Sequence, residues 1–140
     1  MEDFVVDITR GNPSSVKTIL ASVILALACY QLLLAAIGYR KLPLIKADAA
    51  FFTHRASGDM LAVLIVVVAL MCLAVFGFEG DYVLHIVAAI GALVVLAVKI
   101  TVVRTGKGGQ LLPYLGTLLF LLLAVTWFTV APDFLAGEED

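Results

Sequence analysis

Four long apolar stretches, separated by short polar segments, dominate the pattern of this chain. Each holds roughly 20 residues with few charges, which is the length that a helix needs to cross about 30 Å of hydrocarbon. They predict membrane-spanning helices at about residues 17–39, 55–78, 82–103 and 111–131. Because the connections are short, successive helices should run antiparallel. The expected fold is therefore an all-α, up-down bundle of four transmembrane helices, forming a single domain over residues 1–140.

The polar segments that separate the stretches agree with these boundaries. Pro43 interrupts the first connection, and Pro113 lies in the first turn of the fourth helix, where proline is tolerated. The turn at residues 78–81 is very short. We therefore expect the third helix to come straight back, antiparallel and adjacent to the second.

Composition narrows the class of protein further. The chain is 63% hydrophobic and 14% charged, whereas an ordinary soluble domain is about half apolar and about a quarter charged. A net charge of −2, without a basic patch, argues against a nucleic-acid partner. Cys29 and Cys72 both lie inside predicted spans and indicate neither a disulfide framework nor a metal motif. The composition is typical of a multi-pass protein of the lipid bilayer.

Lysine and arginine positions predict the orientation, because cytoplasmic loops carry an excess of both. Six of these residues lie in or beside the first and third connections: Arg40, Lys41, Lys46, Arg55, Arg104 and Lys107. Only Arg10 and Lys17 lie near the opposite face. The bias places the first and third connections in the cytoplasm and both termini outside the cell (plasma) membrane.

His54 and His85 are the only histidines of the chain, and each lies just inside an apolar span, near its start. An ionisable ring is costly in a membrane and usually has a function there. Imidazole is a common axial ligand of haem iron. We therefore interpret both histidines as candidate axial ligands of haem b.

The spacing of the two histidines limits how they can bind haem. They start two antiparallel helices, so they should lie near opposite faces of the membrane, on the order of 20–25 Å apart. They cannot hold one iron within one chain. Either each haem takes its second ligand from another chain, or the histidines do not bind haem. A parallel homodimer with its two-fold axis along the membrane normal would pair each histidine with its own copy and hold two haems per dimer, one in each leaflet.

Small residues follow each histidine by one turn. They are Gly58 after His54 and Ala89 after His85. A porphyrin lying against a helix needs such a missing side chain, but small residues equally allow helices to pack closely.

Charged and polar residues near the histidines have two interpretations each. Lys99 lies 14 residues after His85, at the expected level of His54. It could pair with a haem propionate, or with a quinone or small reductant on the cytoplasmic side, or simply extend to the interface. Arg55 could hold a propionate or form an ion pair with Asp59. Gln31, in the first span, could bond to a neighbouring helix or line a cofactor pocket.

The segment His54-Arg55-x-x-Gly58, at the start of a span, resembles the His-Arg/Lys-x-x-Gly signature of the cytochrome b561 class of membrane cytochromes. That class has a four-helix core of two hairpins, in which histidines from parallel helices hold each haem b. The stretch Phe51–Arg104 resembles half of that core, and a homodimer would complete it. The resemblance implies electron transfer across the membrane, from a cytoplasmic donor to an outer acceptor that is often ferric iron. That class has four histidine ligands in one chain, and this chain has two histidines.

The chain is also similar to small bacterial four-helix membrane proteins of no known activity, which share a His-Arg-x-Ser-Gly pattern. This resemblance covers most of the chain. The matching residues are His54, Ser57, Gly58, His85, Lys99, Leu112, Pro113, Gly116 and Trp127.

Three hypotheses for the function follow. The first is a membrane-bound b-type cytochrome that transfers electrons across or within the membrane. The second is a membrane anchor or accessory subunit of a larger oxidoreductase, whose other chains supply the missing ligands. The third is a haem-free structural or transport protein, for which Gln31 is the strongest mid-membrane polar candidate. The sequence offers no nucleophile and no carboxylate pair that would support hydrolytic chemistry.

Overall fold

The computed structural model describes residues 13–39, 46–76 and 83–132, together with positions 3 and 7. The described residues form four long helices and one short 3-10 turn at Gly109–Leu111. The long helices are α1 (Pro13–Gly38), α2 (Ala47–Phe76), α3 (Val83–Thr105) and α4 (Leu112–Phe128). All four are long and apolar enough to cross a membrane. The predicted all-α fold of four membrane-spanning helices is confirmed.

The connection between α3 and α4 shows how local sequence ends one helix and begins the next. Gly106 and Gly108 have φ angles of 69° and 78°, in the left-handed region that glycine adopts without steric cost. The amide of Gly106 donates to the carbonyl of Val102 at 3.0 Å and closes α3. Pro113 then lies in the first turn of α4, where its missing N–H loses no helical hydrogen bond.

The centre of the bundle is an apolar core to which each long helix contributes two buried residues. Ala28 and Ala92 are small enough to let the helix backbones approach closely. We call this set the central core, and its members are Ile24, Ala28, Leu61, Ile65, Ala92, Leu96, Leu119 and Leu123.

Packing between the helices is uneven. Helix α1 packs closely against α2 and also against α4, and α3 packs closely against α4. Helices α2 and α3 are adjacent but meet only at a few points. The turn at residues 78–81 lies outside the described residues. A short turn constrains only the ends of the two helices that it joins. The side chains along the helices determine which faces pack together.

Gly38, at the end of α1, allows the ring of Phe51 on α2 to approach. A Cβ atom added at Gly38 would lie 2.7 Å from that ring, and the ring also makes an edge contact with Tyr39. Gly116, in α4, has no such neighbour within 4 Å.

We expect Gly38→Ala to lower the stability of the bundle by about 1–3 kcal/mol, because the ring must move away from its packed position. Gly116→Ala is the matched control and should be neutral or stabilising, since alanine is the better helix former. Thermal unfolding of both variants in detergent, followed by size-exclusion chromatography, measures the difference. Equal melting temperatures for the two variants would contradict the packing described here.

Candidate functional site

His54 lies on the face of α2 that also carries the core residue Leu61, and its side chain is half-buried. Its Nδ1 atom lies 3.1 Å from the backbone carbonyl oxygen of Gln31 on α1. A carbonyl oxygen can only accept a hydrogen bond, so Nδ1 must carry the proton and donate it. The contact therefore fixes both the orientation of the ring and its tautomer, leaving Nε2 with a free lone pair.

The side chain of Gln31 lies in the same layer and is almost completely buried, with 6% of its surface exposed. Its amide nitrogen donates to the hydroxyl of Ser57 on α2. The hydroxyl of Ser57 donates its own proton to the carbonyl of Thr53, at 2.6 Å. It can therefore only accept a hydrogen bond from Gln31. The remaining amide oxygen, Oε1, is buried without a hydrogen-bond partner.

Gly58 faces this amide. A Cβ atom added at Gly58 would lie 3.4 Å from Oε1 of Gln31. The missing side chain thus accommodates α1, which is the close-packing interpretation of this glycine given above.

The charged residues near His54 take different positions. Lys99 on α3 is half-buried and lies close enough to His54 to act on it electrostatically. Arg55 and Asp59 are both exposed, on the outer side of α2. The structure therefore groups His54, Gln31 and Lys99 in one layer, which we call the His54 layer, with Arg55 at its edge.

His85 is held in an analogous way by α4. Its Nδ1 lies 2.9 Å from the hydroxyl oxygen of Thr129 and 3.2 Å from the backbone carbonyl of Thr126. The Thr129 hydroxyl donates its proton to the same carbonyl, at 2.7 Å. Both neighbours are therefore acceptors, so Nδ1 of His85 also carries the proton and Nε2 keeps its lone pair.

Other polar residues complete this second layer, which we call the His85 layer. Trp127 on α4 donates its indole N–H to the hydroxyl of Ser22 on α1, at 2.9 Å. Ser22 donates in turn to the carbonyl of Thr18, at 2.9 Å. Lys17 is buried and lies within electrostatic range of His85. Ala89, one turn beyond His85, is half-buried, and Ala88 beside it is buried.

Sequence reasoning did not identify Thr126, Thr129 and Ser22 as part of a site. Threonine and serine in apolar helices commonly bond to a carbonyl of their own helix, as Thr101 and Thr117 do here. Their presence in a span therefore carries no signal of contact with another helix.

The two layers are well separated along the bundle. From Ser22 to Gln31 is nine residues of α1, or about 14 Å. From His85 to Lys99 is 14 residues of α3, or about 21 Å. One iron atom cannot bridge such a distance, so the two imidazoles belong to different sites, with the central core between them.

Each layer therefore presents one imidazole whose Nδ1–H is bonded to an oxygen atom. This arrangement is typical of histidines that ligate metals, because the second-shell hydrogen bond sets the tautomer and raises the basicity of the ligating nitrogen. No hydrogen bond among the described residues uses Nε2 of either ring. Within the same ranges, no three His, Cys, Asp or Glu side chains come together as a metal site.

Fold and site together define a four-helix membrane protein with two separate histidine layers. The chain belongs to the DUF6529 family, a family of unknown function, which matches residues 4–139. Neither a curated protein nor a solved structure matches the chain.

The assigned tautomers can be measured directly. In ¹⁵N-histidine-labelled, haem-free protein, we expect both rings to be in the Nδ1–H form, because each Nδ1 faces oxygen atoms that can only accept. NMR of the ring nitrogens distinguishes this form from the Nε2–H form. His54→Ala and His85→Ala provide the assignments. An Nε2–H ring at either position would contradict the hydrogen bond assigned to that histidine.

Proposed function

We propose that the protein is a membrane-bound b-type cytochrome, in which Nε2 of His54 and Nε2 of His85 are axial ligands of two different haems. The observation that carries the proposal is the shared Nδ1–H···O contact, which directs a free lone pair from each ring into a separate layer. The resemblance of His54-Arg55-x-x-Gly58 to the signature of cytochrome b561 supports the same function.

The residues present fit one side of a b-type haem in each layer. A bis-imidazole site needs a second histidine per iron, and this chain supplies one per layer. We propose that a second copy of the chain supplies the other, through a two-fold homodimer that holds two haems. Helices α2 and α3 carry the histidines and are the adjacent pair that pack least against each other. This open side of the bundle is where the second copy would dock.

Charged and small residues of both layers support this placement. Lys99 in the His54 layer and Arg55 at its edge are the candidates to pair with propionate groups. Ala89 leaves space beside His85.

When bound, haem supplies one-electron redox chemistry. The chain holds the axial ligands, provides a low-dielectric surrounding through the central core, and places a lysine near each imidazole. From the lysine and arginine bias of the connections, we propose that the His54 layer lies on the cytoplasmic side of the plasma membrane and the His85 layer on the outer side, with both termini outside. Electrons would then cross the membrane between the two layers.

A reduced-minus-oxidised visible spectrum of the purified chain, with haem quantified as the pyridine haemochrome, tests the proposal. We expect a low-spin b-type spectrum with about one haem per chain, because each dimer holds two. His54→Ala and His85→Ala should each remove one of those two haems. Tyr114→Ala, which removes an exposed aromatic side chain of α4, is the control and should leave both haems bound.

A chain that stays colourless after reconstitution with haem would contradict the homodimeric cytochrome. The single imidazole per layer also fits an accessory subunit whose partner chains complete the sites. That alternative predicts haem only in a complex isolated with other subunits, and none on the chain alone.

The Oε1 atom of Gln31 has no hydrogen-bond partner. It could accept a hydrogen bond from an electron donor that carries a hydroxyl group. We propose a hydroquinone that reaches the His54 layer from the bilayer, displaces the α1–α2 contact that buries Oε1, and donates an O–H hydrogen bond to this atom. On oxidation it would release two protons to water and one electron to each of the two haems. An oxidised quinone has no such donor, so Gln31 would favour the reduced form.

Gln31→Leu should slow reduction of the protein by duroquinol about 3- to 10-fold, the equivalent of one neutral hydrogen bond. Reduction by dithionite should not change, because dithionite does not need the acceptor. Tyr30→Phe, on the exposed side of α1, is the matched control and should behave as the unmodified protein. If stopped-flow rates with duroquinol are the same for Gln31→Leu and Tyr30→Phe, Gln31 does not bind the donor.

A further inference from the structure

The two layers share most of their features. In each, a histidine Nδ1 donates to a backbone carbonyl of a neighbouring helix. In each, a lysine lies within electrostatic range of the ring, Lys99 for His54 and Lys17 for His85. The two layers differ in the hydrogen-bond acceptors of the rings.

The acceptors of His85 differ from the acceptor of His54 in number and in position along the helix. The carbonyl of Thr126 is in the last turn of α4, and the amide of Val130, which would normally bond to it, donates to Trp127 instead, at 3.2 Å. Thr126 thus has a helix-terminal carbonyl, at the negative end of the helix dipole, that accepts from the side chains of His85 and Thr129 in place of a backbone amide. The carbonyl of Gln31 lies in the interior of α1, where the helical pattern already uses it.

Thr129 provides a second acceptor for the Nδ1 proton of His85. Its Oγ1 is the nearer of the two acceptors, 2.9 Å from Nδ1 of His85. Because its own proton is committed to the carbonyl of Thr126, the hydroxyl cannot turn round and donate to the ring. His54 has no equivalent side-chain acceptor among the described residues.

We propose that Thr129 is a positioning residue that lowers the reduction potential of the haem held by His85. An acceptor on Nδ1–H increases the negative charge of the imidazole and its basicity as a ligand. The more basic ligand stabilises ferric iron over ferrous iron, which lowers the potential. The inference rests on the proposed function and adds to it a residue that tunes one of the two sites without touching the other.

Redox titration of Thr129→Val tests this. The substitution keeps the shape of the side chain and removes the acceptor. We expect the haem of the His85 layer to become easier to reduce, with its one-electron equilibrium constant rising about 3- to 10-fold, an upward shift of about 30–60 mV. The haem of the His54 layer should not shift. His85→Ala, which removes its own haem, identifies which of the two transitions belongs to which layer.

Two further variants separate tuning from a structural effect. Thr129→Ser keeps the hydroxyl, so the haem of the His85 layer should have the same reduction potential as in the unmodified protein. Thr117→Val removes an exposed hydroxyl from the same helix and should change neither potential. In haem-free protein, ¹⁵N NMR should show the Nδ1 signal of His85 changed in Thr129→Val and that of His54 unchanged.

The outcomes distinguish this inference from the proposed function. Unchanged potentials in Thr129→Val, in a protein that still holds two haems, overturn the role of Thr129 alone. Equal shifts of both haems, or a failure of Thr129→Ser to restore the potential, also overturn it. A protein that binds no haem overturns the proposed function, and the role of Thr129 with it.

Discussion

In a bilayer core, water is not available to satisfy a polar group, so each polar group must find a partner inside the protein or remain unpaired at a cost of several kcal/mol. This constraint organises the whole bundle. Its inward-facing polar side chains lie in two layers, and the hydrogen bonds that satisfy them run from helix to helix. The donors are the two histidines, Gln31 and Trp127, and the acceptors are helix carbonyls and the hydroxyls of serine and threonine.

The same hydrogen bonds explain which helices pack together. His54 and Ser57 connect α2 to α1, His85 connects α3 to α4, and Trp127 connects α4 to α1. These are the three helix pairs that pack most closely. Helices α2 and α3 have no such bond between them in the described ranges. In lipid, burial of apolar surface favours no particular neighbour. The interhelical hydrogen bonds of each pair therefore favour one partner helix and one orientation, which apolar packing alone does not.

In the proposed cytochrome, each histidine has two separate roles. Its Nδ1–H fixes a helix against its neighbour, and its Nε2 remains free for a ligand. A membrane protein that needed only the first task could use serine or asparagine, as model helix pairs do. A neutral imidazole can donate a hydrogen bond from one ring nitrogen and bind a ligand with the other. The Nδ1–H tautomer therefore supports a role in metal ligation more strongly than the mere presence of histidine does.

The sequence by itself determined the four spans and the separation of the two histidines along the bundle. Those properties depend on apolar length and helical rise, which are local. Only the tertiary structure decided that Thr129 and Thr126 bind His85, that Gln31 holds His54 while keeping an unpaired oxygen, and that α2 and α3 barely meet. The reason is that these helices are apolar on every face. Their sequences therefore do not indicate which side turns inward, and the rotation of each helix is set by contacts between residues far apart in the chain.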